Sequence, residues 1–180
     1  MHPEIPHNTG CVARLAAGVG LRLHLVLPLG FSLEDRYLKR AGLDYWPLVD
    51  LVLHESWEAA ERSLSGDGAR PLAERLRLFT ARGGGSLFET GFAPDDVLVF
   101  GAEGAGLPRE LLARHADRRV YVPIRPSVRS LNLANVACLS VYTAMVRAGL
   151  PLPQNDGAYE RHPRAAEDVR PSSRVQRVDA

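Results

Sequence analysis

Apolar and polar positions alternate along Leu21-Arg22-Leu23-His24-Leu25-Val26-Leu27, which sets four leucines on one face of an extended segment and predicts a strand closed by Pro28-Leu29-Gly30. Further short runs rich in leucine and valine predict strands at 48–53, 75–80, 97–101 and 119–123. Between them the period is helical. Ser32 is placed to cap a helix reaching about Ala41, Ser56 one reaching about Leu64, and Pro108 suits the first turn of one ending near His115. Near the start, Val12, Leu15, Ala16 and Val19 recur at helical spacing. They predict an amphipathic helix from about Thr9 to Val19, capped by Asn8, with Arg14 off the apolar stripe. The last regular segment, from about Asn132 to Ala148, is apolar almost all round, with Leu133, Val136 and Ala137 on one face and Leu139, Tyr142 and Val146 on another. Such a helix is buried on both sides, either between the sheet and a second subunit or within one chain. Strands alternating with helices imply an α/β domain, a parallel sheet with helices on both faces.

The composition changes this picture little. With 180 residues, 46% hydrophobic and 24% charged, the chain fits one domain of ordinary globular type over about residues 1–150. After Leu150 large apolar residues thin out. The stretch 151–180, in which five acidic residues balance five arginines, is expected to be a mobile tail rather than a basic RNA-binding arm. A formal net charge of +1 supplies no global attraction for nucleic acid. Any RNA grip has to come from local groups such as Arg36, Lys39 and Arg40, or Arg125 and Arg129. Cys11 and Cys138 stand far apart and the six histidines show no ligand spacing, so neither a disulfide framework nor a metal site is expected. No apolar run approaches the roughly 20 residues of a spanning helix and no leader pattern opens the chain, which points to the cytoplasm.

Three blocks carry candidate chemistry. In Phe100-Gly101-Ala102-Glu103-Gly104-Ala105-Gly106-Leu107-Pro108, glycines at 101, 104 and 106 permit close backbone approach, as a site needs when main-chain groups read the edge of an adenine. The order G-x-x-G-x-G is not the dinucleotide fingerprint, and by itself the turn reads equally as a tight strand-to-helix connection. Gly83-Gly84-Gly85 reads as a flexible loop. In Val122-Pro123-Ile124-Arg125-Pro126-Ser127-Val128-Arg129-Ser130-Leu131-Asn132, a strand enters a proline-bounded loop that ends at a helix N-terminus, where Ser130 or Asn132 either caps the helix or lines a pocket. In Asn8-Thr9-Gly10-Cys11-Val12-Ala13-Arg14, the arginine is either a solvated helix face or a catalytic group.

Taken in order, the three blocks resemble the SPOUT class of SpoU-like RNA ribose methyltransferases, and within it the tRNA wobble-position 2′-O-methyltransferases. The resemblance covers about residues 2–150 and includes Gly30-Phe31 and the run Leu38-Lys39-Arg40-Ala41-Gly42-Leu43-Asp44-Tyr45. It implies a parallel sheet whose C-terminal part forms a trefoil knot, S-adenosylmethionine (SAM) as cofactor, tRNA as substrate, and a homodimer built through the last helix, with no metal and no membrane. The reaction implied is 2′-O-methylation of the ribose of a cytidine or modified uridine at the wobble nucleotide, position 34. The readings kept beside it are a relative acting on another tRNA or ribosomal RNA nucleotide, and a non-catalytic RNA-binding relative. Carried over by position, Phe79, Gly101, Val122, Ser130 and Leu131 would line the cofactor pocket. Arg14 would be the catalytic arginine, with Asn8, Glu103, Ser130 and Asn132 organising it and the ribose. Arginine keeps its proton in almost any protein site, so Arg14 is expected to clamp phosphate and steady the developing alkoxide rather than act as a base. The sequence departs from the class pattern at His7, where proline is common, and at Ala105, where a polar or basic residue is frequent. Members of the class also begin with a strand ahead of the block that opens here at His2, so a first strand of about five residues is expected upstream.

Overall fold

The computed structural model of this chain describes residues 1–33, 43–155, 157 and 176–178. The helix predicted from Ser32 to Ala41, the basic group Arg36, Lys39 and Arg40, and the Leu38–Gly42 part of the marker run lie outside the described residues, as does most of the stretch expected to be a tail. In chain order the elements are α1 (Pro6–Val19), β1 (Leu23–Val26), a 3-10 turn (Leu43–Leu48), β2 (Leu51–His54), α2 (Trp57–Ser65), α3 (Leu72–Arg75) and β3 (Leu76–Thr80). There follow β4 (Gly85–Ser86), β5 (Val97–Val99), α4 (Arg109–Arg114), a 3-10 turn (Ala116–Arg118), β6 (Arg119–Tyr121), α5 (Leu133–Arg147) and β7 (Gln176–Val178).

Among the described residues every strand pairing is parallel. Alternation along the strands sends side chains to two apolar layers. Leu76 and Leu78 of β3 join Val26, Val99, Leu64 of α2 and Leu111 of α4 on one face. Leu25, Leu51 and Leu53 meet Ala13 of α1 on the other, and Phe79 and Val120 meet Val136 of α5 there. Each fully buried leucine contributes about 2 kcal/mol of transfer free energy. This is the expected parallel α/β arrangement with helices on both faces.

The sheet is divided, with strand orders β1-β2-β7 and β4-β6-β3-β5. The edges of β1 and β5 flank an apolar slot of about 280 Å3, lined also by Leu15 of α1, Leu64 of α2 and Val141 of α5. Met1 also lines it. The Met1 amine donates to the Phe100 carbonyl at 2.7 Å, and the His2 amide donates to the Val26 carbonyl at 3.0 Å. Burial lowers this amine from 8.0 to about 6, an effect partly offset by Glu103. Burial, with the adjacent His54 next, also lowers His24 of β1 to about 4; its Nδ1 lies 2.8 Å from His54 Nε2.

Above about pH 6 both bases are therefore neutral in the fold and take up protons on unfolding. The unfolded chain binds more protons between about pH 8 and 4, so stability falls as pH falls through that window. Between pH 8 and 6.5 the amine is the larger contributor, and its own step from pH 8 to 6 is worth about 2 kcal/mol. Urea unfolding should show this loss, and acetylating the amine should flatten the curve above pH 6.5. A slope unaffected by acetylation would assign it to other groups.

Two local expectations are corrected. Asn8 does not cap α1. The helix starts earlier because Pro6 fits its first turn, and the Glu103 carboxylate accepts from the Glu4 amide at 2.8 Å and the Ile5 amide at 3.3 Å, serving as a cap from a distant part of the chain. The glycine run is not a slack loop either. Gly85 begins the short β4 beside β6, and Gly84 (φ +102°) passes so near the Arg119 carbonyl that a Cβ there would lie 2.3 Å from it.

Candidate active site

The three blocks converge on one cavity of about 520 Å3 at the C-terminal ends of β3, β5 and β6, the end of a parallel sheet at which small molecules bind in open α/β folds. Its base is aromatic: Phe79 stacks on Phe100, with centroids 4.5 Å apart. One wall is the glycine turn, a small hairpin closed by the Ala102 and Gly106 amides donating to each other's carbonyls at 3.2 and 2.8 Å. A Cβ on Gly101 would sit 2.1 Å from the Gly106 carbonyl carbon, so position 101 requires glycine for steric reasons. The opposite wall is the loop after β6, with Ile124, Arg129, Ser130 and Leu131, and α5 begins behind it.

A polar chain ties the blocks together. Glu103 Oε1 accepts from Asn8 Nδ2 at 2.9 Å, and Asn8 Oδ1 accepts from Asn132 Nδ2 at 3.0 Å. The other end of the Asn132 amide caps α5, its Oδ1 accepting from the Ala134 and Asn135 amides at 2.9 and 3.3 Å. Asn8 is 3% exposed, and a buried amide in that position costs free energy unless both ends are bonded. Glu4 reciprocates across the seam, its Oε2 accepting from the Gly104 amide at 2.7 Å. The capping and pocket readings of Asn132 are thus both realised in one side chain.

Phe79, Gly101, Val122, Ser130 and Leu131 all line this cavity, together with Asn8, Glu103 and Asn132. Arg14 does not. It lies on the exposed side of α1, its guanidinium carbon 4.6 Å from the ring centroid of Tyr45, whose hydroxyl donates to the Gly10 carbonyl at 2.9 Å. Thr80, which ends β3, and Ala81, which follows it, also line the cavity and carried no signal of their own in the sequence. Their position at the end of a parallel strand was the available signal.

The model of the SpoU rRNA Methylase family matches residues 1–142. The chain belongs to the SpoU methylase family. Among curated relatives, the tRNA (cytidine(34)-2′-O)-methyltransferase of Polaromonas sp. strain JS666 is 44% identical over 93% of this chain and 95% of its own. A protein of Bacillus subtilis named putative tRNA (cytidine(34)-2′-O)-methyltransferase is 40% identical over 79% of this chain and 87% of its own. A solved structure titled for 2-OH methylation of C/U34 on tRNA superposes with a TM-score of 0.74 at 47% identity, covering 82% of this chain and 92% of that one. The SpoU methyltransferase AviRb of Streptomyces viridochromogenes, solved with AdoMet, shares the fold (TM-score 0.69, 23% identity, 81% of this chain and 54% of that one).

For this SpoU family member the cavity is a chemically suitable SAM site. Its volume falls within the roughly 300–1,000 Å3 of small-molecule pockets. The apolar base and the turn held open by Gly101 suit an adenine ring recognised by main-chain groups. Among the described residues no group of three His, Cys, Asp or Glu side chains could hold a metal ion, and no helix is long and apolar enough to cross a membrane.

Proposed function

We propose that this protein transfers a methyl group from SAM to the ribose 2′-hydroxyl of the wobble nucleotide, position 34, of tRNA in the cytoplasm. The observation that carries this reading is the Glu103–Asn8–Asn132 chain, which fastens the three blocks around one cavity in a chain similar over nearly its whole length to enzymes named for that reaction. SAM would supply an electrophilic methyl on a sulfonium and leave as S-adenosylhomocysteine, with the 2′-hydroxyl proton passing to phosphate or water, which makes the transfer an in-line displacement governed by alignment. Phe79, Gly101, Val122, Ser130 and Leu131 hold the cofactor, largely through backbone groups. Asn8 and Asn132 fix the entrance of α5, so that Ser130 presents its hydroxyl beside the incoming ribose.

Arg14 lies outside the cavity of its own chain, and the same reading assigns it to the cavity of a second subunit, where it grips phosphate and steadies the alkoxide. The dimer forms through α5. Leu139, Tyr142 and Val146 are 39%, 42% and 60% exposed on that helix, an apolar stripe suited to a matching copy. A C-terminal trefoil knot belongs to this proposal as well and is supported by the likeness to the solved SpoU structures.

The function is tested by incubating the purified protein with SAM and unmodified tRNA transcripts and analysing nucleosides by mass spectrometry. A 2′-O-methylated pyrimidine should appear, and a transcript carrying a 2′-deoxynucleotide at position 34 should remain unmodified. Methylation of both transcripts alike would place the target elsewhere.

Asn132→Asp separates the two duties of that residue. The carboxylate still caps α5, at a helix end that favours negative charge, but loses the donor to Asn8 Oδ1 and sets two acceptors against each other. The melting temperature should fall by about 5 °C, because the Asn8 oxygen left without its donor costs about 1–2 kcal/mol, while methylation falls by on the order of 10-fold or more. An unchanged initial rate would confine Asn132 to capping.

A further inference from the structure

Among the described residues few bonds hold the loop 125–131, whose last three residues line the cavity. Pro123 and Pro126 lack amide donors, the backbone bond within the loop runs from the Val128 amide to the Arg125 carbonyl at 3.1 Å, and Val128 and Leu131 are exposed. Next to it, the turn after β3 lines the same cavity. There the Thr80 hydroxyl bonds the Arg82 and Gly83 carbonyls at 2.8 and 2.9 Å, which fixes the backbone from which Arg82 projects. Arg82 then crosses the gap, its Nη2 donating to the Pro126 carbonyl at 3.2 Å and the Val128 carbonyl at 2.8 Å.

We propose that Arg82 is a positioning residue that straps the turn after β3 to the loop after β6, holding Ser130 and Leu131 against the cavity. The inference rests on the proposed cofactor site, since those two residues are among its lining. The chemistry of the strap is that of a cation satisfying two carbonyls of a loop that has few other bonds. Thr80, Ala81 and Arg129 to Leu131 line the same cavity, so tying the loop to the turn limits how far the loop can swing away from it. Without the strap the loop samples splayed states, and apparent affinity for a ligand held between the walls falls with the fraction that stays closed. Arg82 is exposed and outside the apolar layers, so its removal leaves the core intact.

Calorimetry with S-adenosylhomocysteine on the wild-type chain, Arg82→Ala and Arg82→Lys provides the test, beside hydrogen exchange of amides 127–131. Arg82→Ala should bind about 10-fold more weakly and exchange faster at those amides, with the unliganded melting temperature within about 2 °C of wild type. Arg82→Lys retains a cationic donor and should recover affinity to within about threefold. Wild-type affinity and exchange in Arg82→Ala would overturn the inference alone, and so would a large loss of melting temperature accompanying the loss of affinity. No binding by the wild-type chain would overturn the cofactor site and the strap together.

Discussion

Arg14→Ala should lower methyl transfer to tRNA by on the order of 100-fold or more, the scale of losing one transition-state stabiliser, while affinity for S-adenosylhomocysteine stays within about twofold. The split follows from geometry: Arg14 lies outside the cavity lining and stacks on Tyr45, so its loss leaves the pocket unaltered. Subunit mixing shows where it acts. In a heterodimer of an Arg14→Ala chain with an Asn132→Asp chain, one cavity has both an intact lining and the arginine of its neighbour, and the other has neither. Equal mixing makes half the dimers mixed, so about a quarter of the sites should recover activity. If Arg14 served its own chain's cavity, every site in the mixture would carry one lesion and the activity would stay at the level of the variants.

Joining five apolar, β-branched residues ahead of Met1 should raise the melting temperature by about 10 °C, the equivalent of about 3 kcal/mol for a chain of this size. The slot between β1 and β5 is lined by Val26, Leu64 and Val99 on one side and by Leu15, Leu25 and Val141 on the other, so it suits a strand apolar on both sides. Met1 and His2 already bond to Phe100 and Val26 at its end, and residues joined ahead of them would continue between the two edges. An amide in place of the amine also removes a buried titrating group, so most of the stability change between pH 8 and 6.5 should disappear in the same chain. A five-residue glycine-serine extension is the control. Equal melting temperatures for the two extensions would show that the slot is not a strand acceptor.

Strands and most helices were legible because their signals are local. Ser56 caps α2 through the Ala59 amide at 3.2 Å, and Asn132 caps α5, both as short-range patterns predict. The start of α1 was misread because its cap is Glu103, 98 residues from Ile5, and no window of sequence reports such a partner. The glycine run was misread for a related reason: what constrains Gly84 is the carbonyl of Arg119 on another strand. The residue types of the site were visible in the three blocks, but their meeting was supplied by resemblance, since nothing in the spacing of Asn8, Glu103 and Asn132 announces two hydrogen bonds in series. Arg82 had no sequence signal at all. Its role depends on two backbone carbonyls more than forty residues away, and carbonyls look alike in every sequence.

The central claim is that the Gly101 turn, Val122 and the Ser130 loop enclose the methyl donor. A crystal structure with S-adenosylhomocysteine tests it most directly: the ligand should lie between those three segments, its adenine against the glycine hairpin. Ligand density in the slot between β1 and β5, or a cavity closed by the protein's own side chains, would contradict the account.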